Sequence, residues 1–150
     1  MPQCEEKEIK EIDRLALNLY SCISFKEGSR PDLDTFKRLF IPDGMLIDNN
    51  YNPPMITRID QFIDVFNEEV SHGSMKSLFE KELWNRTELF GKIAHRVSTY
   101  EARLDPSDPE PFSLGINSIQ FINIDNFWRI NSIIWYDQTE NFLIPKKYLI

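Results

Sequence analysis

Apolar residues are spaced in two different ways along this chain, and the order of the two patterns is what most constrains its fold. The first half reads as helices and the second as long strands, an order that predicts an α+β fold rather than alternating α/β. Ile9, Ile12, Ala16, Leu19 and Ile23 make one apolar stripe on a helix over about residues 5–25, with Tyr20 beside it. Gly28-Ser29-Arg30-Pro31 ends that helix. A short second helix follows, capped by Asp32, with Leu33, Phe36, Leu39 and Phe40 on its apolar side. After the turn Pro42-Asp43-Gly44 comes a short strand, Met45-Leu46-Ile47, which ends at Asp48 and a polar loop. A third helix is predicted from the N-cap Thr57 to His72-Gly73, burying Ile59, Phe62, Ile63, Phe66 and Val70. Four strands follow over about 75–89, 92–103, 112–124 and 127–136. Gly91, the loop 105–109 and Asp125-Asn126 separate them, so consecutive strands should pair antiparallel as a meander.

The 150 residues suit a single domain spanning 1–150, and eleven Phe with 41% hydrophobic content supply a core. A net charge of −7 argues against nucleic acid as a partner, and Lys146-Lys147 is too small a basic patch for a membrane surface. The acidic N-terminus has no apolar signal region, and no stretch approaches the roughly 18 apolar residues of a membrane span. Cys4 and Cys22 read as free thiols of a reducing compartment, so a cytoplasmic location is expected. Two His and two Cys lie too far apart to suggest a metal site. Five glycines form neither a G-x-G-x-x-G nor a P-loop, and there is no nucleophile elbow, so no cofactor is expected.

Three helices with a short strand between the second and third, then a four-stranded meander, resemble the nuclear transport factor 2-like superfamily over nearly the whole chain. Residues 127–130 (Phe-Trp-Arg-Ile) and 133–136 (Ile-Ile-Trp-Tyr) look like the last strand of its ketosteroid isomerase and SnoaL-like branch. Residues 40–48 look like that branch's helix, turn and short strand, and 91–101 like a stretch of its bacterial members. The resemblance implies a cone-shaped, curved antiparallel sheet wrapped around three N-terminal helices, a cystatin-like α+β barrel with a pocket inside. In ketosteroid isomerase an Asp is the base, while a Tyr and a protonated Asp form the oxyanion hole. The resemblance puts Tyr20 at the Tyr, Asp48 at the base and Gln120 at the protonated Asp. Gln donates through its amide but cannot be tuned by protonation, which argues against steroid isomerisation by that route.

If Gln120 faces inward, strand alternation sends Ser118 and Ile122 inward with it. The resemblance turns Ile133, Trp135 and Asp137 inward on the last strand. Across the hairpin at Gly91, the same face is expected to hold Glu82, Trp84 and Arg86 opposite Thr99, Val97 and His95. The predicted cavity is lined by Tyr20, Phe62, Phe66, Trp84, Val97, Ile122, Ile133 and Trp135, with Asp48, His95, Gln120 and Asp137 as its polar groups. Each has a plainer reading. Tyr20 and the Trp residues suit the core, Asp48 suits a turn, and His95 suits a hydrogen-bonded strand position.

Two functions follow. One is a pocket for a small apolar organic ligand, with a cofactor-free isomerase, cyclase or dehydratase acting next to a carbonyl. Asp48 or His95 would take the proton, and Tyr20 and Gln120 would hold the oxyanion. The other is a non-catalytic binding or dimerisation module. A homodimer is expected through an outer sheet face carrying Asn117, Ile119, Phe121, Trp128, Ile130, Ile134 and Tyr136. Tyr148, Leu149 and Ile150 are too apolar to hang free and are expected to fold back onto the sheet.

Overall fold

The computed structural model describes residues 2–150, with side chains from Glu5 onward. Cys4 therefore lies outside the described side chains, whereas Cys22 is a buried free thiol. Helix α1 (Pro2–Ile23) leads to α2 (Leu33–Arg38), β1 (Phe40–Asp48), β2 (Met55–Arg58) and α3 (Ile59–Ser71). The long strands are β3 (Phe79–Phe90), β4 (Ile93–Arg103), β5 (Ser113–Ile124) and β6 (Phe127–Asp137). They form one six-stranded sheet in the order β2-β1-β6-β5-β4-β3. The meander is antiparallel, and β1 joins it by running parallel to β6. Helices cover the concave face, where Ile12, Phe36, Ile59, Ile119, Phe121 and Ile130 are almost wholly buried. The architecture is thus α+β, a curved, unclosed sheet around three helices.

Local chemistry explains most boundaries. The Asp32 side chain accepts a hydrogen bond from the Thr35 amide at 3.1 Å, capping α2. Gly73, at φ 77°, takes the left-handed conformation just past α3. Asp125 and Asn126 both have positive φ, which gives the β5–β6 hairpin the two-residue turn that matches strand twist. The segment 55–58 departs from expectation. Read as a loop running into a Thr57 N-cap, it forms β2 instead, and the N-cap of α3 falls one residue later, at Arg58, without a side-chain cap. Thr57 donates from its hydroxyl to the Leu46 carbonyl, so this β-branched residue is held in the edge strand.

One irregularity governs the faces of the sheet. Gln120 pairs with Ser132 but Phe121 pairs with Ile130, so Asn131 is an extra residue on β6. Before this bulge Trp128 and Ile130 point to the helices; after it Ile133 does. On β5 the odd residues Asn117, Ile119 and Phe121 stay buried throughout. Asn117, Ile119, Phe121, Trp128 and Ile130, predicted to face outward, therefore belong to the concave face. Of that set only Ile134 and Tyr136 are exposed, and the face on which the sequence predicts pairing of two copies is largely core. The outer face of these strands holds Ile116, Ile122 and Ile134 among Ser118, Gln120 and Arg129.

The C-terminal residues fold back onto the sheet. The Thr99 hydroxyl donates to the Tyr148 carbonyl at 2.7 Å, and the Tyr148 ring packs edge-on against Trp84 with centroids 5.4 Å apart. Together they cover the outer side of β3 and β4 and leave Thr99 fully buried. Deleting residues 148–150 is expected to lower the melting temperature by at least about 2 °C. An unchanged thermal transition would show that this cover contributes nothing.

Candidate functional site

A cavity of about 370 Å³ lies between the helices and the concave face of the sheet. Its inner wall is apolar, built from Leu19, Ile23, Phe36, Phe66, Leu78 and Ile133. Tyr51, Met55, Val65 and Phe112 also line it and are partly exposed, which places them at the rim. Phe62 and Phe66 stand beside each other on α3, centroids 5.9 Å apart, because positions i and i+4 share a helix face.

The polar residues of the cavity are arranged in rows across the sheet. In one row Tyr100 on β4 lies opposite Gly115 on β5, which lies opposite Asp137 on β6. The Tyr100 ring crosses over Gly115, and its hydroxyl donates to the Asp137 carboxylate. A Cβ at position 115 would overlap the Tyr100 ring and hydroxyl and the Tyr136 carbonyl, so only glycine allows this crossing. Burial and the bond to Asp137 hold the Tyr100 phenol far above its usual range. Asn50 completes the corner: its side chain donates to Asp137 at 3.2 Å and accepts from the Asp137 amide at 2.8 Å.

A second network lies behind the cavity wall. Arg96, almost wholly buried, donates to Glu82 at 2.6 and 3.0 Å, to Asp13 at 2.6 Å and to Thr87 at 3.2 Å. Ser98 donates to Glu82 at 2.5 Å, and Asn117 donates to the Tyr20 hydroxyl at 2.9 Å. Since Ser98 has a single proton and gives it to Glu82, the Tyr20 hydroxyl donates to Ser98 across their 2.6 Å contact. Tyr20 lines the cavity, but its proton is committed to this network. Burial pushes its phenol well up.

Glu80, on the concave face of β3, is an ionisable group left free. Ser24 fixes its backbone, since the Glu80 amide donates to the Ser24 hydroxyl at 3.0 Å. Among the described residues no side chain or amide bonds its carboxyl, which lines the cavity. Burial, helped by the charge of Asp137, pushes that carboxyl up to about 7.

The structure brings Tyr20, Asp48, Phe62, Phe66, Ile133, Trp135 and Asp137 together around one cavity. Asp48 sits there as a turn residue too, accepting from the Asn50 amide at 3.0 Å. It does not do so for Gln120, His95, Trp84, Val97 and Ile122. Trp135 lies opposite Asn117 and Ile133 opposite Ile119, so turning Trp135 and Ile133 inward turns Gln120 and Ile122 outward. Gln120 pairs with His95, which faces outward with it. His95 is exposed and lies 3.2 Å from Glu88. The strand partners also slip by two residues from expectation. Trp84 faces Thr99, Arg86 faces Val97 and Glu88 faces His95, with a bulge at Leu83. Trp84, Val97 and His95 share a face as expected, but it is the convex one, and the bulge parts them from Glu82, which is on the concave side. The sequence reading missed Glu80, Tyr100 and Asn117. The pairing of Trp135 with residue 117 would have found Asn117, and Tyr100 and Glu80 follow from the same face. Among the described residues no three His, Cys, Asp or Glu side chains come together as metal ligands.

No protein-family model matches the sequence, and no curated protein matches it. Solved structures do match. A protein of unknown function with a cystatin-like fold from Nostoc punctiforme superposes with a TM-score of 0.69 at 13% identity, over 87% of this chain and 90% of that one. An NTF-2 like protein of unknown function from Silicibacter pomeroyi gives 0.58 at 16%, over 89% and 98%. A protein from Novosphingobium aromaticivorans, provisionally named a scytalone dehydratase, gives 0.60 at 15%, over 93% and 89%. The chain has the NTF2-like, cystatin-like fold.

The raised Glu80 carboxyl has a consequence for stability. The folded state holds this proton up to about pH 7, whereas an unfolded Glu releases it near its ordinary value of 4.5. Its contribution therefore worsens as pH rises through that window. Glu80→Gln should be more stable than wild type at pH 8, by roughly 1–3 kcal/mol, and about equal to it at pH 4. Urea unfolding at the two pH values measures this, and a difference that does not grow with pH would refute the assignment.

Proposed function

We propose that this chain is a small-molecule pocket protein, a cofactor-free acid–base catalyst acting next to a carbonyl in the manner of an isomerase, cyclase or dehydratase. The observation that carries the reading is the half-buried Glu80 carboxyl, which lines the apolar cavity with no hydrogen-bond partner among the described residues. A base works best with a pKa near the working pH, and Glu80 at about 7 meets that condition. Apolar walls with a few placed polar groups suit one organic ligand of modest size. Glu80 replaces Asp48 as the proton acceptor, because Asp48 is engaged with its own turn. Asn117 replaces Gln120. Its amide gives one N–H to Tyr20 and keeps a second for a developing oxyanion. Tyr100 and Asp137 form a closed pair beside Glu80, and Asp137 keeps the neighbouring carboxyl partly protonated.

A neutral bicyclic ketone with acidic α-protons, 2-tetralone, tests both parts. In deuterated buffer the protein should speed α-proton exchange, read by NMR, and Glu80→Gln should lose at least about 100-fold of that rate. Val65→Trp at the rim should block binding, seen as loss of the binding heat in titration calorimetry, without lowering the melting temperature. Binding without exchange would make the chain a non-catalytic ligand-binding module. No binding of this ketone, nor of the related probes described next, would overturn the pocket reading.

A further inference from the structure

The charges around the cavity are one-sided. Asp48, Glu69, Glu80 and Asp137 line it, and among the described lining residues there is no Lys, Arg or His. Arg96, a buried cation that does not line the cavity, is already opposed by two carboxylates, Glu82 and Asp13, which offset its charge. The walls are also rich in aromatic rings, from Tyr51, Phe62, Phe66 and Trp135. Aromatic faces carry negative quadrupole charge and attract ammonium groups, more strongly where water is excluded. A free carboxyl on Glu80, facing cavity space rather than a protein donor, completes the pattern.

We infer that the ligand of this cavity is an apolar molecule bearing a protonated amine, and that anionic ligands are excluded. The inference rests on the pocket reading above and goes beyond it by naming the charge class of the ligand. The ammonium group pairs with the carboxylates of Glu80 and Asp137, and the apolar body lies along Phe62, Phe66 and Trp135. Binding draws Glu80 towards its charged form, since an opposite charge nearby favours ionisation. A carboxylate ligand would meet Asp48, Glu69 and Asp137, and a Glu80 whose ionisation it opposes, with no lining cation to offset them.

Three probes of nearly equal shape separate charge from fit: 2-naphthylmethylamine, 2-naphthalenemethanol and 2-naphthoate. Titration calorimetry at pH 7 should give the amine at least about tenfold tighter binding than the alcohol, with the naphthoate weaker still. Glu80→Gln keeps the shape and removes one charge, so it should reduce the amine-to-alcohol ratio at least about threefold. Equal binding of amine and alcohol, or tighter binding of the naphthoate, would overturn the charge assignment and leave the pocket standing. An unchanged ratio in Glu80→Gln would also overturn it. Failure of all three probes and of 2-tetralone would remove the pocket itself.

Discussion

A single buried guanidinium organises the space between the first helix and the sheet. Arg96 cannot shed its charge, so its burial requires carboxylates, and it takes Glu82 from the neighbouring strand and Asp13 from α1. Glu82 then commands the proton of Ser98, Ser98 that of Tyr20, and Asn117 closes the line from β5. Three strands and a helix are tied at one level by this chain of bonds. It also decides which side chains have protons to spare. Tyr20, the residue that looked most like an oxyanion donor, has none, whereas Glu80, two residues before Glu82 on the same face, is free.

The fold was legible because its signals are local and repeated. The stripe Ile9, Ile12, Ala16, Leu19 and Ile23 could only be a helix. The turn residues Gly91 and Asp125-Asn126 stand where the hairpins turn. The strand β2 was not legible, because four residues give too short a pattern to separate from a helix entry. Thr57 is as good a strand residue as an N-cap, and only its bond to Leu46 on the adjacent strand decides.

The site was half legible for a different reason. The apolar stripe of α3 placed Phe62 and Phe66, and the resemblance placed Tyr20, Asp48, Trp135 and Asp137; all six line the cavity. Residues within β3, β4 and β5 needed the sheet's faces, which depend on pairing across strands. Gln120 and Trp135 could not both point inward once Trp135 was opposite Asn117. The inward residues that resulted, Glu80, Tyr100 and Asn117, put a glutamate, a tyrosine and an asparagine on the cavity wall where the sequence reading had placed Gln120 and His95.

The extra residue on β6 reaches further than its own strand. Because of Asn131, the stretch before it faces the helices on even positions and the stretch after it on odd ones. Two proteins of this shape that differ by one residue at that point would keep the same core and the same cavity while their sequences fall out of step. An ungapped alignment through β6 would match buried positions of one to exposed positions of the other. Similarity of shape at 13% identity is the kind of divergence such single insertions allow. Likeness of fold among such chains is then better traced by which way each side chain points than by which letter it is.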